Sequence, residues 1–189
     1  IADTRTRAMQ YPRRIRSVSL DYQLMRARVA VQAMRTPEEA VAMFRSALEG
    51  ESISDAATTY GLVLALTAAG RADEAALALD SIWSDDRNRI EYVIAGAEID
   101  LARGDAARAV STLERRLSLS PGNHPLTMSY ASALQQAGSP HLAEAVLLEQ
   151  SRVVTTDPGL WYLLAEVQGL AGNIVGLHRS RAEYFILVN

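Results

Sequence analysis

Apolar residues recur at helical spacing on either side of four glycines, Gly70, Gly104, Gly138 and Gly172, which follow one another at a constant interval of 34 residues. A strict period of this length predicts a stack of helical hairpins. Measured from each glycine, the pattern repeats in detail. Five residues after the first three glycines stand Ala75, Ala109 and Ala143, where two helices must touch and only a small side chain fits. Nine residues after them come Leu79, Leu113 and Leu147, filling a large apolar position of the second helix. Seven residues before the four glycines lie Val63, Ala97, Ala131 and Ala165, small enough for the first helix to approach its neighbour. Each glycine follows a helical run and suits a left-handed turn, and Arg71-Ala72-Asp73-Glu74 and Ser139-Pro140 then read as helix starts.

The period and these positions resemble the tetratricopeptide repeat (TPR). That resemblance implies an all-α, right-handed superhelical solenoid of antiparallel helix hairpins. Trp161 alone satisfies the motif's tryptophan, eleven residues before its glycine. An earlier hairpin is expected from Tyr22–Met34 and Pro37–Leu48, with Ala40, Phe44 and Ala47 at motif places and a one-residue loop insertion before the next unit. Residues 1–17 read as a basic linker or short helix, and 18–189 as four to five hairpins, the last truncated. Two departures stand out. Gly96 replaces a large apolar residue and Asp100 an aromatic one, which predicts a bent third unit or one packed against something outside the repeat. At the end, Leu177 and Arg181 replace the alanine and leucine, and Ala182–Phe185 reads like the first helix of a further repeat.

Composition supports helices. Of 189 residues 49% are apolar, only two are phenylalanine, and no period-two run is evident. No stretch is long enough for a membrane span. The absence of cysteine excludes disulfides and thiolate zinc sites, and the net charge of −3 argues against nucleic acid as a partner. Charge is uneven: up to Arg45 nine arginines face four acids, leaving ten against eighteen in the remainder. Arg5, Arg7, Arg13, Arg14 and Arg16 suit either docking on an acidic neighbouring domain or a solvated linker. The opening Ile1, with no export signal after it, reads as a fragment or processed piece.

Five segments carry a narrower resemblance, and the last two of them, Leu160 to Ala165 and His178 to Phe185, are more specific than repeat spacing requires. Ile1 to Ala8 followed by Tyr11-Pro12, Pro121 to Pro125, Tyr130 to Leu134, Leu160 to Ala165 and His178 to Phe185 resemble the C-terminal TPR half of the BepA/YfgC-like periplasmic zinc metallopeptidases, the beta-barrel assembly-enhancing protease family. The resemblance implies a periplasmic protein concerned with outer-membrane protein quality control. Its repeat half would recruit outer-membrane polypeptides or subunits of the barrel-assembly complex. An alternative is a self-associating or autoregulatory scaffold whose groove packs on its own peptidase domain. Zinc is implied only for that peptidase domain. Here no His-Glu-x-x-His occurs, so neither peptidase activity nor a cofactor is expected of this chain.

Other chemistry is thinly represented. His124, His141 and His178 share no helical turn; they read as solvated or helix-terminal, or as parts of a composite metal site. The acid pairs Glu38/Glu39, Asp73/Glu74 and Asp85/Asp86 fall beside helix starts or in loops, where complementing helix N-termini is their expected work. Gly-x-Ser-x-Gly and phosphate-loop patterns are missing.

In such a stack the first helix of each hairpin lines the concave side. The inward positions are expected to be Tyr22, Met25, Arg26 and Val29; Tyr60, Leu64 and Thr67; Glu91, Ile94 and Glu98; Met128, Ser132 and Gln135; Tyr162 and Glu166. Arg26 is almost alone as a cation, so a clamp for an acidic C-terminal tail is not expected. Tyrosine, methionine and leucine offer apolar contacts, and Glu91, Glu98 and Glu166 favour basic residues in a bound polypeptide. Exposed Tyr184, Phe185, Ile186 and Leu187 would favour a homodimer of the fragment.

Overall fold

The computed structural model describes residues 19–50, 55–83 and 88–189. Among them are ten helices and no strand: α1 (Leu20–Ala33), α2 (Pro37–Gly50), α3 (Ala56–Ala68), α4 (Ala72–Trp83), α5 (Ile90–Ala102), α6 (Ala106–Leu119), α7 (His124–Gln136), α8 (Pro140–Ser151), α9 (Pro158–Leu170) and α10 (Ile174–Val188). The basic opening segment, the expected loop insertion and the Asp85/Asp86 pair lie outside the described residues.

The glycine ruler works through the backbone. Gly70, Gly104, Gly138 and Gly172 take φ values of 72°, 82°, 74° and 77°, a region costly for residues bearing a Cβ. The turn lets the next residue's N–H reach five residues back: Arg71 to Leu66, Asp105 to Asp100, Ser139 to Leu134 and Asn173 to Gln168, each at 2.9 Å. These bonds satisfy carbonyls that the helix ends would otherwise leave bare. At the opposite ends the side chains of Asp55, Asp105, Asn123, Asp157 and Asn173 accept backbone N–H groups and start helices α3, α6, α7, α9 and α10. Pro140 occupies the first position of α8, as expected.

Packing follows the same ruler. Consecutive helices pair, and α1, α3, α5, α7 and α9 also touch one another in series, which makes a solenoid of hairpins. Ala75, Ala109 and Ala143 are fully buried, and Leu113 and Leu147 are as well. Burying each such leucine contributes about 1.5–3 kcal/mol. The apolar interior among the described residues divides into three successive clusters along the stack. In the first hairpin Ala40 and Phe44 are buried as the motif asks, whereas Ala47 is exposed. Gly61 belongs to this contact too. A Cβ there would lie 2.2 Å from the Phe44 ring, so the ring is seated directly on the backbone of α3.

Of the two expectations for the third hairpin, the bend is not seen, since α5 runs unbroken; the unit packs instead against the preceding hairpin, whose Trp83 ring on α4 covers Gly96, where a Cβ would stand 3.1 Å from Cζ3. Asp100, 8% exposed, pairs with Arg108 of α6 (Nε to Oδ2, 3.3 Å). At the other end, Ala182–Phe185 opens no further helix but continues α10, which forms a full hairpin with α9. Glycines at the contact permit this pairing: a Cβ on Gly169 would meet Leu177 at 3.0 Å, so the larger leucine replaces the usual alanine opposite a missing side chain.

Candidate functional site

The flank formed by the first helices carries three hollows. The first, about 480 Å³, lies between α1, α3, α5 and the start of α7, with Tyr22, Met25, Tyr60, Ile90, Glu91 and Ile94 among its walls. A second, about 230 Å³, gathers Ile94, Glu98, Met128 and Ser132. The third, about 550 Å³, is bounded by Gln135 of α7, Tyr162 and Glu166 of α9, and Leu177, Arg181 and Phe185 of α10. Most residues expected to face inward are thus brought to one flank.

Four of the expected positions do not serve as an exposed contact surface. Leu64, 6% exposed, packs into the interior. Tyr60, fully buried, and Ile94, 6% exposed, offer the first hollow only a floor. Arg26 is exposed but turns away, its guanidinium 5.9 Å over the Tyr22 ring and beside a separate hollow between α1, α2 and α3. Of the flanking positions, Val29 is exposed, and Thr67 donates its hydroxyl to the carbonyl of Val63 (2.9 Å).

Sequence reasoning missed Arg28. Its guanidinium grips Glu98 with two donors (2.9 and 3.3 Å) and gives two more to the Tyr60 hydroxyl (2.9 and 3.2 Å). Three first helices, α1, α3 and α5, are tied by this one side chain. Burial works against the Arg28 charge, and Glu98 more than offsets it, holding the group above its ordinary value. Burial also pushes the Tyr60 phenol up to about 12, against the opposing pull of Arg28. The Tyr60 ring leans on Tyr92 of α5, centroids 5.9 Å apart. Glu98 lies 70 residues from Arg28, so no local pattern announces the pair.

A second cation is engaged at the mouth of the same hollow. Arg89, ahead of α5, bonds the Asp21 carboxylate and lies 4.0 Å from Glu91. At the far end Tyr162 meets Tyr184 edge-on, centroids 5.7 Å apart, and the Glu166 carboxylate raises the Tyr162 phenol. His124 bonds Asp157 (2.6 Å) and Gln150 (3.2 Å), a link between α7, α8 and the start of α9, while His141 and His178 are exposed. Among the described residues no three His, Asp or Glu gather as metal donors. No described helix is long and apolar enough to cross a membrane.

Hairpins in series with this register define a tetratricopeptide-type repeat protein. Along 188 residues, 99% of its length, the chain is 26% identical to the beta-barrel assembly-enhancing protease of Escherichia coli (strain K12), and equally to that of Shigella flexneri. It spans 38% of the length of these relatives. No protein-family model matches it. Among solved structures it superposes on a thermophilic TPR protein of Thermus thermophilus with a TM-score of 0.72 at 18% identity, covering 89% of this chain and 91% of that one. The pilF protein of Pseudomonas aeruginosa gives 0.63 at 14% identity over 89% of this chain and 76% of that one. A chain of the APC/C hetero-tetramer Cut9-Hcn1 gives 0.67 at 16% over 97% and 35%. At these identities the structural likeness establishes the fold.

Proposed function

We propose that this chain is a polypeptide-binding repeat region working with a periplasmic zinc peptidase, and that it recruits outer-membrane polypeptides or subunits of their assembly machinery. The observation that carries the reading is similarity along 99% of this chain to 38% of a beta-barrel assembly-enhancing protease, joined to a scaffold whose usual work is protein–protein interaction. Peptide-bond hydrolysis is assigned elsewhere, because this chain has no His-Glu-x-x-His helix. Its own contribution is to hold a client chain against the first-helix flank. Exposed Tyr22, Met25 and Tyr162 supply apolar contact, and Glu91 and Glu166 supply negative charge.

A photo-crosslinking residue placed at Tyr22 or Tyr162 in the full-length protein tests this, since both side chains are about half exposed (54% and 53%). Adducts with outer-membrane polypeptides or assembly subunits are expected. Adducts only with the protein's own peptidase portion would replace this reading with an autoregulatory scaffold. Adducts only between copies would favour self-association, for which exposed Leu170, Phe185, Ile186 and Val188 provide apolar surface.

A further inference from the structure

We infer that the hollow between α1, α3, α5 and α7 is a subsite for one large apolar side chain of an extended polypeptide that carries a basic residue next to it. The inference rests on the polypeptide-binding reading above and names which chemistry that reading selects.

Shape comes first. The hollow's 480 Å³ falls in the ~300–1,000 Å³ range of small-ligand sites, enough for an aromatic or long aliphatic group. Leu24, Tyr60 and Ile94 form a buried floor, whereas Tyr22 and Met25 stand 54% and 67% exposed on the wall. Pro125 closes the α7 side and adds no backbone donor. Methionine and tyrosine adapt to the shape of an incoming side chain at little cost in polar desolvation.

Charge then chooses the neighbour. Arg28, the cation among the lining residues, already gives four hydrogen bonds to Glu98 and the Tyr60 hydroxyl. Arg89 at the mouth bonds Asp21 and faces Glu91. A partner's carboxylate would therefore have to displace existing ion pairs to win a cation. Asp21 and Glu91 both line the hollow, with side chains 73% and 37% exposed, and each keeps carboxylate lone pairs for further donors. A lysine or arginine beside the inserted side chain meets acceptors in place, and an acidic residue meets like charge.

Methyl-detected NMR titration of the full 189-residue chain tests the subsite, with three capped hexapeptides as probes: Gly-Ser-Phe-Arg-Ser-Gly, the same with Arg replaced by Glu, and the same with Phe replaced by Ala. The Phe-Arg peptide is expected to move the methyl signals of Leu24, Met25, Ile90 and Ile94. The Phe-Glu peptide should bind at least threefold more weakly, and the Ala-Arg peptide should leave those signals still. Met25→Ser, an uncharged change at an exposed position, should weaken Phe-Arg binding at least fivefold with an unchanged melting curve. Glu91→Gln should narrow the Phe-Arg to Phe-Glu ratio toward one.

Equal binding of the Phe-Arg and Phe-Glu peptides, or shifts confined to another part of the chain, would overturn the inference. So would the absence of any shift at millimolar peptide. Those results leave the broader reading to the crosslinking experiment, where adducts with client polypeptides at Tyr162 would keep it standing without this subsite.

Discussion

Four side chains occupy the same place in successive hairpins, ten residues before the ruler glycine: Tyr60, Ile94, Met128 and Tyr162. Their fates differ along the stack. Tyr60 is fully buried, Ile94 is 6% exposed, Met128 is half-buried and Tyr162 is 53% exposed. Six residues before the glycine the order is similar, from buried Leu64 through half-buried Glu98 and Ser132 to exposed Glu166. Register decides which side chains turn to the flank, and the flanking helices decide how much surface they keep. Tyr60 lies between Arg28 of α1 and Tyr92 of α5, whereas the aromatic ring against Tyr162 belongs to its own hairpin partner, α10. At these equivalent positions the N-terminal part of the flank is consequently a buried floor tied across three helices, and the C-terminal part keeps its side chains exposed.

The most direct way to break this comparison is to truncate the two tyrosines. Tyr60→Ala should cost about 3–5 kcal/mol of stability, because it opens a cavity and strips Arg28 of a partner. Tyr162→Ala should stay within about 1 kcal/mol, as an exposed side chain does. Equal losses in urea denaturation would mean that position in the stack does not matter. Next in size, Gly61→Ala should cost about 2–3 kcal/mol despite the better helix propensity of alanine, because its Cβ would collide with the Phe44 ring. Gly61→Ala combined with Phe44→Leu should recover part of that loss, which a purely helical effect would not.

Arg28→Ala sharpens the comparison from the electrostatic side. Both partners of the ion pair are about a third exposed, so the loss is moderated by solvent, and about 1–2 kcal/mol is expected in thermal or urea melts. The same substitution should leave Tyr162 crosslinking unchanged. The smallest effect concerns Asp100 in the third hairpin. Burial raises its carboxyl above the ordinary 3.8, with Arg108 pulling the other way. A raised acid holds its proton better folded than unfolded, so its contribution is complete below 3.8 and is lost as the pH rises through the folded value. Asp100→Asn should therefore be more stable than the parent at pH 7, by under about 1 kcal/mol, with the gap closing toward pH 4. A less stable Asn variant at pH 7 would show that the Arg108 pair outweighs the burial.

The repeat was legible in the sequence because each of its signals is local. A glycine at positive φ, an Asp or Asn cap and alanines at fixed offsets act within one hairpin or between neighbours, and the same 34-residue count locates them all. Much of the flank was legible for the same reason: Tyr22, Met25, Glu91, Glu98, Met128, Ser132, Tyr162 and Glu166 all line one of its hollows. Arg26, on the same helix as Tyr22 and Met25, was read inward but turns toward α2 and α3, since one residue's step on a helix rotates a side chain by about 100°.

What the amino-acid order determined alone is the hairpin and its period, both properties of neighbouring residues. Only the tertiary structure decided that Tyr60 is floor and not surface, that Trp83 fills the space over Gly96, and that Arg28 serves Glu98 across three helices. Those outcomes depend on how far one hairpin turns against the next, a sum of contacts across the stack that no single repeat encodes.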